Sequence, residues 1–382
     1  MKLDFGFNQE WKELKKFNNL KDEQRSIVFY AENKASMNHF KLLISELTKE
    51  RNLVICYVTS VKNDPIFSLK DENIHAFYIG DGMVRTKFFL TLKAKVLIMD
   101  MPDLESFHIK RSKIYPVHYI YVFHSMFSTH SYLRKEALDN YDTIFCVGEF
   151  HEKEIRWREE KYNLKPKNLI PYGFGRLDSL LQEKKNYPQT SFEEKTVIIA
   201  PSYGENNLLE VCGLELLNVL LESDFVVLLR PHYKIFKDSK KLIEIIRKRY
   251  EKNPNFILEE GIIPTKKFYS SKCMISDWSG ISFEYAFTHE KKVIFIDVLK
   301  KILNKDFGET PSEPIEILLR HKIGHVVSTT DIKKIPDIIS NMNKNDLSSE
   351  EIREIRSQMV FNVGESSKKG ADFIEKICFD KN

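Results

Sequence analysis

The feature that most constrains this chain is a set of short runs that are apolar at consecutive positions. Ile27-Val28-Phe29-Tyr30 is the clearest of them. A strand with one wet face alternates apolar and polar residues. A strand that is apolar throughout has to be covered on both faces, as in a parallel sheet flanked by helices. Comparable β-rich runs recur at 53–59, 75–79, 96–100, 118–124 and 143–147, with amphipathic stretches such as 38–50 and 151–162 between several of them. Strands alternating with helices predict βαβ units. The polar stretch 183–195, which contains Pro188, interrupts the pattern. Alternation then resumes, with strands predicted at 196–201, 225–230, 256–259, 273–276 and 292–298, and helices at 208–222, 240–250, 265–272 and 282–289. The tail reads as helical at 349–360 and 371–379. The expectation is an α/β chain of two Rossmann-like, doubly wound domains facing a central cleft: residues 1–184, a linker at 185–195, and residues 196–382.

Charge and composition narrow the function. The 382 residues include 59 Lys plus Arg against 55 Asp plus Glu, a net +4. That balance argues against a nucleic-acid binder. No apolar run approaches the 18 residues of a membrane span. Asp4 stands where a secretion signal needs apolar residues. Cys56, Cys146, Cys212, Cys273 and Cys378 are scattered, with no CxxC pair and no metal-ligand spacing. Such isolated thiols suit a reducing cytoplasm.

In open α/β sheets ligands sit beyond the carboxyl ends of the strands, so the residues just after each strand are the candidates. The run 225–230 delivers Arg230-Pro231-His232-Tyr233-Lys234, three cation-capable side chains that suit anionic oxygens. The run 273–276 delivers Asp277-Trp278-Ser279-Gly280-Ile281-Ser282-Phe283-Glu284. Hydroxyls and a glycine opening a helix make an anion site, and Glu284 is placed to accept from ribose hydroxyls. The competing reading is ordinary helix capping by Ser279 or Ser282, with Asp277 helping the dipole. The run 196–200 leads into Ser202, Tyr203 and Gly204, a loop with a hydroxyl and an aromatic face. In the first half, strand 118–123 ends in His124, a candidate general base because imidazole titrates near working pH. The other histidines nearby lack zinc spacing. His321 and His325 read as surface residues.

Taken in order, these segments resemble the CDP-glycerol glycerophosphotransferases of teichoic-acid and capsule synthesis. The resemblance rests on His124, Tyr172-Gly173-Phe174-Gly175-Arg176-Leu177-Asp178, Ala200-Pro201-Ser202-Tyr203, Arg230-Pro231-His232, Ser276-Asp277-Trp278-Ser279-Gly280 and Phe283-Glu284-Tyr285. It covers roughly residues 115 to 300. Departures from the family's usual motifs include Phe123-His124-Ser125 for Trp-His-Gly and Ser202-Tyr203-Gly204 for Thr-Trp-Arg. The resemblance implies a GT-B-like fold, with the acceptor on the first domain, the cytidine nucleotide on the second, and the C-terminal helices crossing back to the first.

It also implies a reaction: a glycerol-phosphate or related polyol-phosphate moves from a CDP-linked donor to an acceptor hydroxyl, and CMP leaves. His124 is then the base and His232 the second catalytic residue. Arg230, Ser202, Tyr203, Asp277, Ser279, Gly280, Ser282, Glu284 and Arg176 contact the donor. No acidic pair has the spacing of a metal-carrying nucleotide-sugar site, so no obligatory metal or other cofactor is expected. The expected acceptor is a saccharide or lipid-linked chain at the cytoplasmic face of the membrane. The alternatives are a GT-B glycosyltransferase using a nucleotide sugar and an inactive nucleotide-binding assembly protein. Phe7, Trp11, Leu14 and Phe17 recur at helical spacing beside Lys12, Lys15 and Lys16. Such a stripe suits either a peripheral membrane contact or packing on the protein's own body.

Overall fold

The structure is a computed structural model that describes residues 7–187, 193–260, 266–300, 302, 304, 307–342 and 348–379. The chain forms two compact units. The first contains residues 1–179, 303–310 and 359–382; the second contains 180–302 and 311–358. The chain passes from one to the other within helix Gly175–Lys185. Part of the stretch expected as a linker, residues 188–192, lies outside the described residues.

The first unit holds seven parallel strands: β1 (Ile27–Ala31), β2 (Ile55–Thr59), β3 (Ile74–Tyr78), β4 (Val96–Met99), β5 (His118–Val122), β6 (Thr143–Cys146) and β7 (Asn168–Pro171). Their order is β3-β2-β1-β4-β5-β6-β7. β1 is central, with Val28 in register with Cys56 on one side and Leu97 on the other. All five residues of β1 and of β2 are buried, which is why these runs are apolar without alternation. Helix Ser36–Ser45 covers one face with Met37, Phe40, Leu43 and Ile44. The tail helix Ser366–Phe379 adds Ala371, Ile374 and Cys378 to the same core. Arg51 holds that helix through Asp372 and Glu375, each at 2.6 Å.

The N-terminal helix Phe7–Asn18 spends much of its apolar stripe internally. Leu14 and Phe17 are buried, and Phe17 packs edge-on against Phe77 and Phe88. Trp11 remains exposed. Among the described residues no helix is long and apolar enough to cross a membrane.

The second unit holds β8 (Glu193–Ala200), β9 (Val226–Leu229), β10 (Phe256–Leu258), β11 (Ser271–Ser276), β12 (Val293–Asp297) and β13 (Gly324–Ser328). All are parallel, in the order β10-β9-β8-β11-β12-β13. Helix Leu208–Glu222 starts where Asn207 caps it, its Oδ1 accepting from the N–H groups of Leu209 and Glu210.

Two strands were not expected from the sequence. β7 ends in Pro171 and is an edge strand with no fully buried residue, so its pattern is weak. β13 corrects the reading of His321 and His325 as a surface pair. His321 is exposed at the end of helix Ile315–Ile323, but His325 lies within the sheet, half-buried and in register with Ile294. Gly324 allows that pairing, because a Cβ there would sit 2.0 Å from the Val293 carbonyl oxygen. All five cysteines are buried and unpaired.

Candidate active site

In both units the strand order reverses beside the first strand, between β1 and β4 and between β8 and β11. Crevices for ligands open at the carboxyl ends of such strands. The candidate residues fall there, in two groups.

In the first unit, His124 follows β5 and Asp100 follows β4. His124 Nδ1 lies 3.1 Å from the Asp100 backbone carbonyl. A carbonyl only accepts, so Nδ1 carries the hydrogen and Nε2 keeps its lone pair. The Tyr121 hydroxyl is 3.3 Å from the same Nδ1. Burial pushes the His124 pKa below its ordinary value, and the Asp100 carbonyl works weakly the other way. The ring is therefore a neutral base at physiological pH. Asp100 is itself buried and accepts from Ser36 Oγ at 3.0 Å. Burial raises its carboxyl to about 7. Beyond β1, Arg85 pairs with Glu32 at 3.1 Å.

The neighbouring histidines have structural partners. His118 Nε2 is 2.7 Å from Thr143 Oγ1, His151 Nε2 is 2.9 Å from the Phe127 carbonyl, and His130 lies beside buried Glu154 at 3.5 Å.

The Tyr172–Asp178 segment also belongs to the first unit. Gly173 has φ +102°, and a Cβ there would lie 2.2 Å from the Phe361 carbonyl oxygen, so only glycine fits. Asp178 accepts from the N–H of Gly364 at 2.7 Å, the N–H of Ser366 at 3.1 Å, and the Ser366 hydroxyl. This motif clamps the tail. Arg176, half-buried, lies close enough to His39 to disfavour protonation of that imidazole.

In the second unit, Asp277 is 1% exposed and its carboxylate is fully engaged. It accepts from Ser202 N–H at 2.7 Å, Ser202 Oγ at 3.0 Å and Leu208 N–H at 2.9 Å. Burial raises its pKa, and these hydrogen bonds oppose the rise. Asp277 thus ties the loop after β8 to the end of β11. That loop presents Tyr203, which stacks on His232 with ring centroids 4.6 Å apart; Lys234 Nζ lies 4.4 Å from the Tyr203 ring centre. The Lys234 backbone N–H donates to His232 Nδ1 at 3.3 Å. That bond leaves the ring hydrogen on Nε2, so neutral His232 is a donor where neutral His124 is an acceptor. Tyr233 is exposed.

Arg230 is buried and paired with Glu259, so its guanidinium braces the strand ends rather than standing open. Gly280 opens helix Ile281–His289 with no side-chain cap, while Ser282 Oγ donates to the Ser279 carbonyl at 2.7 Å. Ser279 and Gly280 are half-buried at that helix start, and Glu284 lies in its first turn. Trp278 is fixed by its indole N–H on the Val298 carbonyl at 3.0 Å and by Arg320 stacked 3.8 Å from the ring centre. Among the described residues no group of three or more His, Cys, Asp or Glu is placed to hold a metal ion.

Asp100, Glu259 and His39 were not among the sequence candidates. Asp100 had a signal, an acid closing an otherwise apolar strand. Glu259 had a similar one, and His39 had none within its amphipathic helix.

Two doubly wound parallel-sheet units, each with polar residues just beyond its strand ends, place the chain in the GT-B-like class. A family model described as CDP-glycerol:poly(glycerophosphate) glycerophosphotransferase matches residues 13–375, and the chain belongs to that family. Its activity is accordingly the transfer of glycerol phosphate from CDP-glycerol to a polymer acceptor.

The chain is similar in fold to the wall teichoic acid polymerase TagF, in a variant soaked with CDPG. Identity is 13%, coverage is 97% of this chain and 94% of that one, and the TM-score is 0.60. It is also similar to UDP-GlcNAc 2-epimerase from Methanocaldococcus jannaschii, at 13% identity, 91% and 99% coverage and TM-score 0.56. A third is S. aureus MnaA in complex with UDP, at 13% identity, 92% and 96% coverage and TM-score 0.57. No curated protein sequence matches the chain.

Proposed function

We propose that the acceptor hydroxyl attacks the glycerol-bearing phosphorus of CDP-glycerol, with His124 as general base and His232 as donor to the developing charge. The new O–P bond forms as the pyrophosphate bridge breaks. The hydroxyl proton passes to His124 Nε2, the electron pair leaves with CMP, and the product is a phosphodiester. The observation that carries this assignment is the pair of opposite contacts at the two Nδ1 atoms, a carbonyl at His124 and a backbone N–H at His232, which imply opposite tautomers. Asp100 leaves His124 with a bare Nε2, and Lys234 leaves His232 with a protonated one. A base of this kind is typically worth about 10²–10⁴-fold, and donors aimed at developing phosphate charge supply the electrostatic part.

In this reading the nucleotide belongs to the second unit. The Tyr203–His232 stack and Lys234 suit a base or phosphate edge, and the uncapped start of helix Ile281–His289 at Ser279 and Gly280 suits phosphate oxygens. Glu284 is assigned to the ribose. Ser202, Asp277, Ser282 and Arg230 hold these elements in place. The acceptor belongs to the first unit. The reaction is assigned to the cytoplasm, in teichoic-acid-like polymer synthesis, with a lipid-linked acceptor at the inner membrane face.

The test is CMP release from CDP-glycerol in the presence of a glycerol-phosphate oligomer, with UDP-sugars as controls. CMP and CDP should also raise the melting temperature more than UMP or AMP does. A ligand at one hundred times its Kd adds about 2.7 kcal/mol. UDP release from a nucleotide sugar, with no response to CMP, would replace this reading with the glycosyltransferase one.

A further inference from the structure

His39 lies on helix Ser36–Ser45, directly after β1, and has no role in the chemistry above. It is nine-tenths buried, yet its ring makes no hydrogen bond with any described residue. Nδ1 is sealed from solvent without a partner, whereas Nε2 keeps access. A buried imidazole with nothing to bond is costly, so such a group calls for an explanation.

Its surroundings give one. The ring sits edge-to-face with His124, centroids 6.4 Å apart, and 6.0 Å from Phe174. The ionisable groups that act on it are His124, whose own ring is neutral, and the Arg176 guanidinium, the one cation of the two. Burial first, and these neighbours second, hold the His39 pKa well below its ordinary value, so the ring is neutral. A neutral imidazole still donates one hydrogen bond. Here it does so beside the proposed base and within the electrostatic reach of the Arg176 guanidinium. The backbone fixes the arrangement: a Cβ on Gly175 would meet the His39 carbonyl oxygen at 3.2 Å, so the turn carrying Arg176 lies against the helix carrying His39.

We propose that His39 Nε2–H and Arg176, the latter in place of the donor contact the resemblance implied for it, form an anion subsite of the first unit that holds a phosphodiester oxygen of the acceptor's terminal glycerol-phosphate. This places the terminal hydroxyl at His124. The proposal rests on the assignment of the acceptor to this unit and names the chemistry that would recognise it: a phosphate next to the attacking hydroxyl. A neutral polyol or sugar end would gain nothing from the pair.

Three variants separate the subsite from a packing role. His39→Phe keeps a ring but removes the donor. His39→Gln places an amide N–H where Nε2 stands, and His39→Asn places it short of that point. Calorimetric titration with a short glycerol-phosphate oligomer needs no turnover, so it reads the subsite even if the transfer reaction is misassigned. The wild-type protein should bind the oligomer. His39→Phe and His39→Asn should weaken it by about ten- to hundredfold, the loss of one hydrogen bond to a charged group. His39→Gln should recover most of the affinity.

CMP affinity should change less than about twofold in all three. In turnover, the loss should appear in KM for the phosphate-bearing acceptor, and a neutral glycerol-ended acceptor should be nearly insensitive. Failure of the wild-type protein to bind the oligomer, unchanged binding in His39→Phe, or an equal loss with the neutral acceptor would each overturn the proposal. Oligomer binding with these losses but no CMP release from CDP-glycerol would uphold the subsite while refuting the transfer chemistry.

Discussion

Replacing Asp277 tests whether the loop after β8 depends on one buried carboxylate. Three donors converge on it: Ser202 N–H and Leu208 N–H, at 2.7 and 2.9 Å, and Ser202 Oγ at 3.0 Å. Leu208 is fully buried, whereas Ser202 is half-buried and its hydroxyl can recruit water. Asp277→Ala therefore strands chiefly two backbone N–H groups, each at about 1–3 kcal/mol. The expected loss is about 3 kcal/mol. In a unit of this size that lowers the melting temperature by roughly 6–12 °C.

Asp277→Asn is the sharper variant. The two N–H groups approach different carboxylate oxygens, and an amide has only one oxygen. Whichever way the amide is turned, its NH₂ meets an N–H. Asn should thus recover less than half of the loss despite its near-identical shape. Ser202→Ala, which removes only the outer bond, should cost under about 1 kcal/mol. Differential scanning fluorimetry reads the stability, and calorimetry with CMP reads the consequence for the Tyr203–His232 stack. An Asp277→Asn protein within about 1 kcal/mol of wild type would refute the reasoning, because it would show that the two N–H groups have other partners.

Three further outcomes are expected. His124→Ala should cut turnover by about 10²–10⁴-fold with CMP affinity intact, whereas His232→Ala should damage both; equal mild effects would remove the assigned roles. Burial lifts the Asp100 carboxyl from 3.8 to about 7, so between those values the folded protein holds a proton that the unfolded chain has lost. The contribution to stability is full below about pH 4 and is lost as pH rises through 7, a span worth about 4 kcal/mol. Asp100→Asn, isosteric with the protonated acid, should remove that slope in urea unfolding followed from pH 4.5 to 8. Gly173→Ala should loosen the tail, since its Cβ would collide with the Phe361 carbonyl. Limited proteolysis should then cut near residue 361 faster than in wild type.

The parallel strands were legible because burial on both faces forces an unbroken apolar run, as in Ile27–Ala31. The rule fails where a strand is only partly covered. β7 carries a proline at the sheet edge, and β13 opens with Gly324 and His325, neither of which reads as buried strand. His124 and His232 stood out as candidates because each stands just beyond a recognisable strand. Their tautomers did not, because the partners are a carbonyl 24 residues upstream and a backbone N–H two residues on. Main-chain groups leave no mark in sequence. His39 was invisible for a related reason: in an amphipathic helix one imidazole looks like any other until its neighbours are known.

The two motif aspartates separate sequence signal from chemical role. Asp178 and Asp277 are both buried, and each accepts from two backbone N–H groups and one serine hydroxyl. One set of donors comes from the tail at 364–366, the other from the loop and helix start at 202–208. A carboxylate offers about four acceptor sites in a fixed plane, so it can hold several backbone donors of an irregular segment at once. Such segments have no ladder of their own to satisfy them. An aspartate in such a motif can therefore act through the backbone it holds. In the proposed reading Asp277 bears on the donor through the loop it holds, and the groups assigned to meet the substrate are Tyr203, carried by that loop, and His232, stacked on it. Substitution at either aspartate should therefore be read in stability first and in kinetics second. Substitution at either histidine should be read in the reverse order.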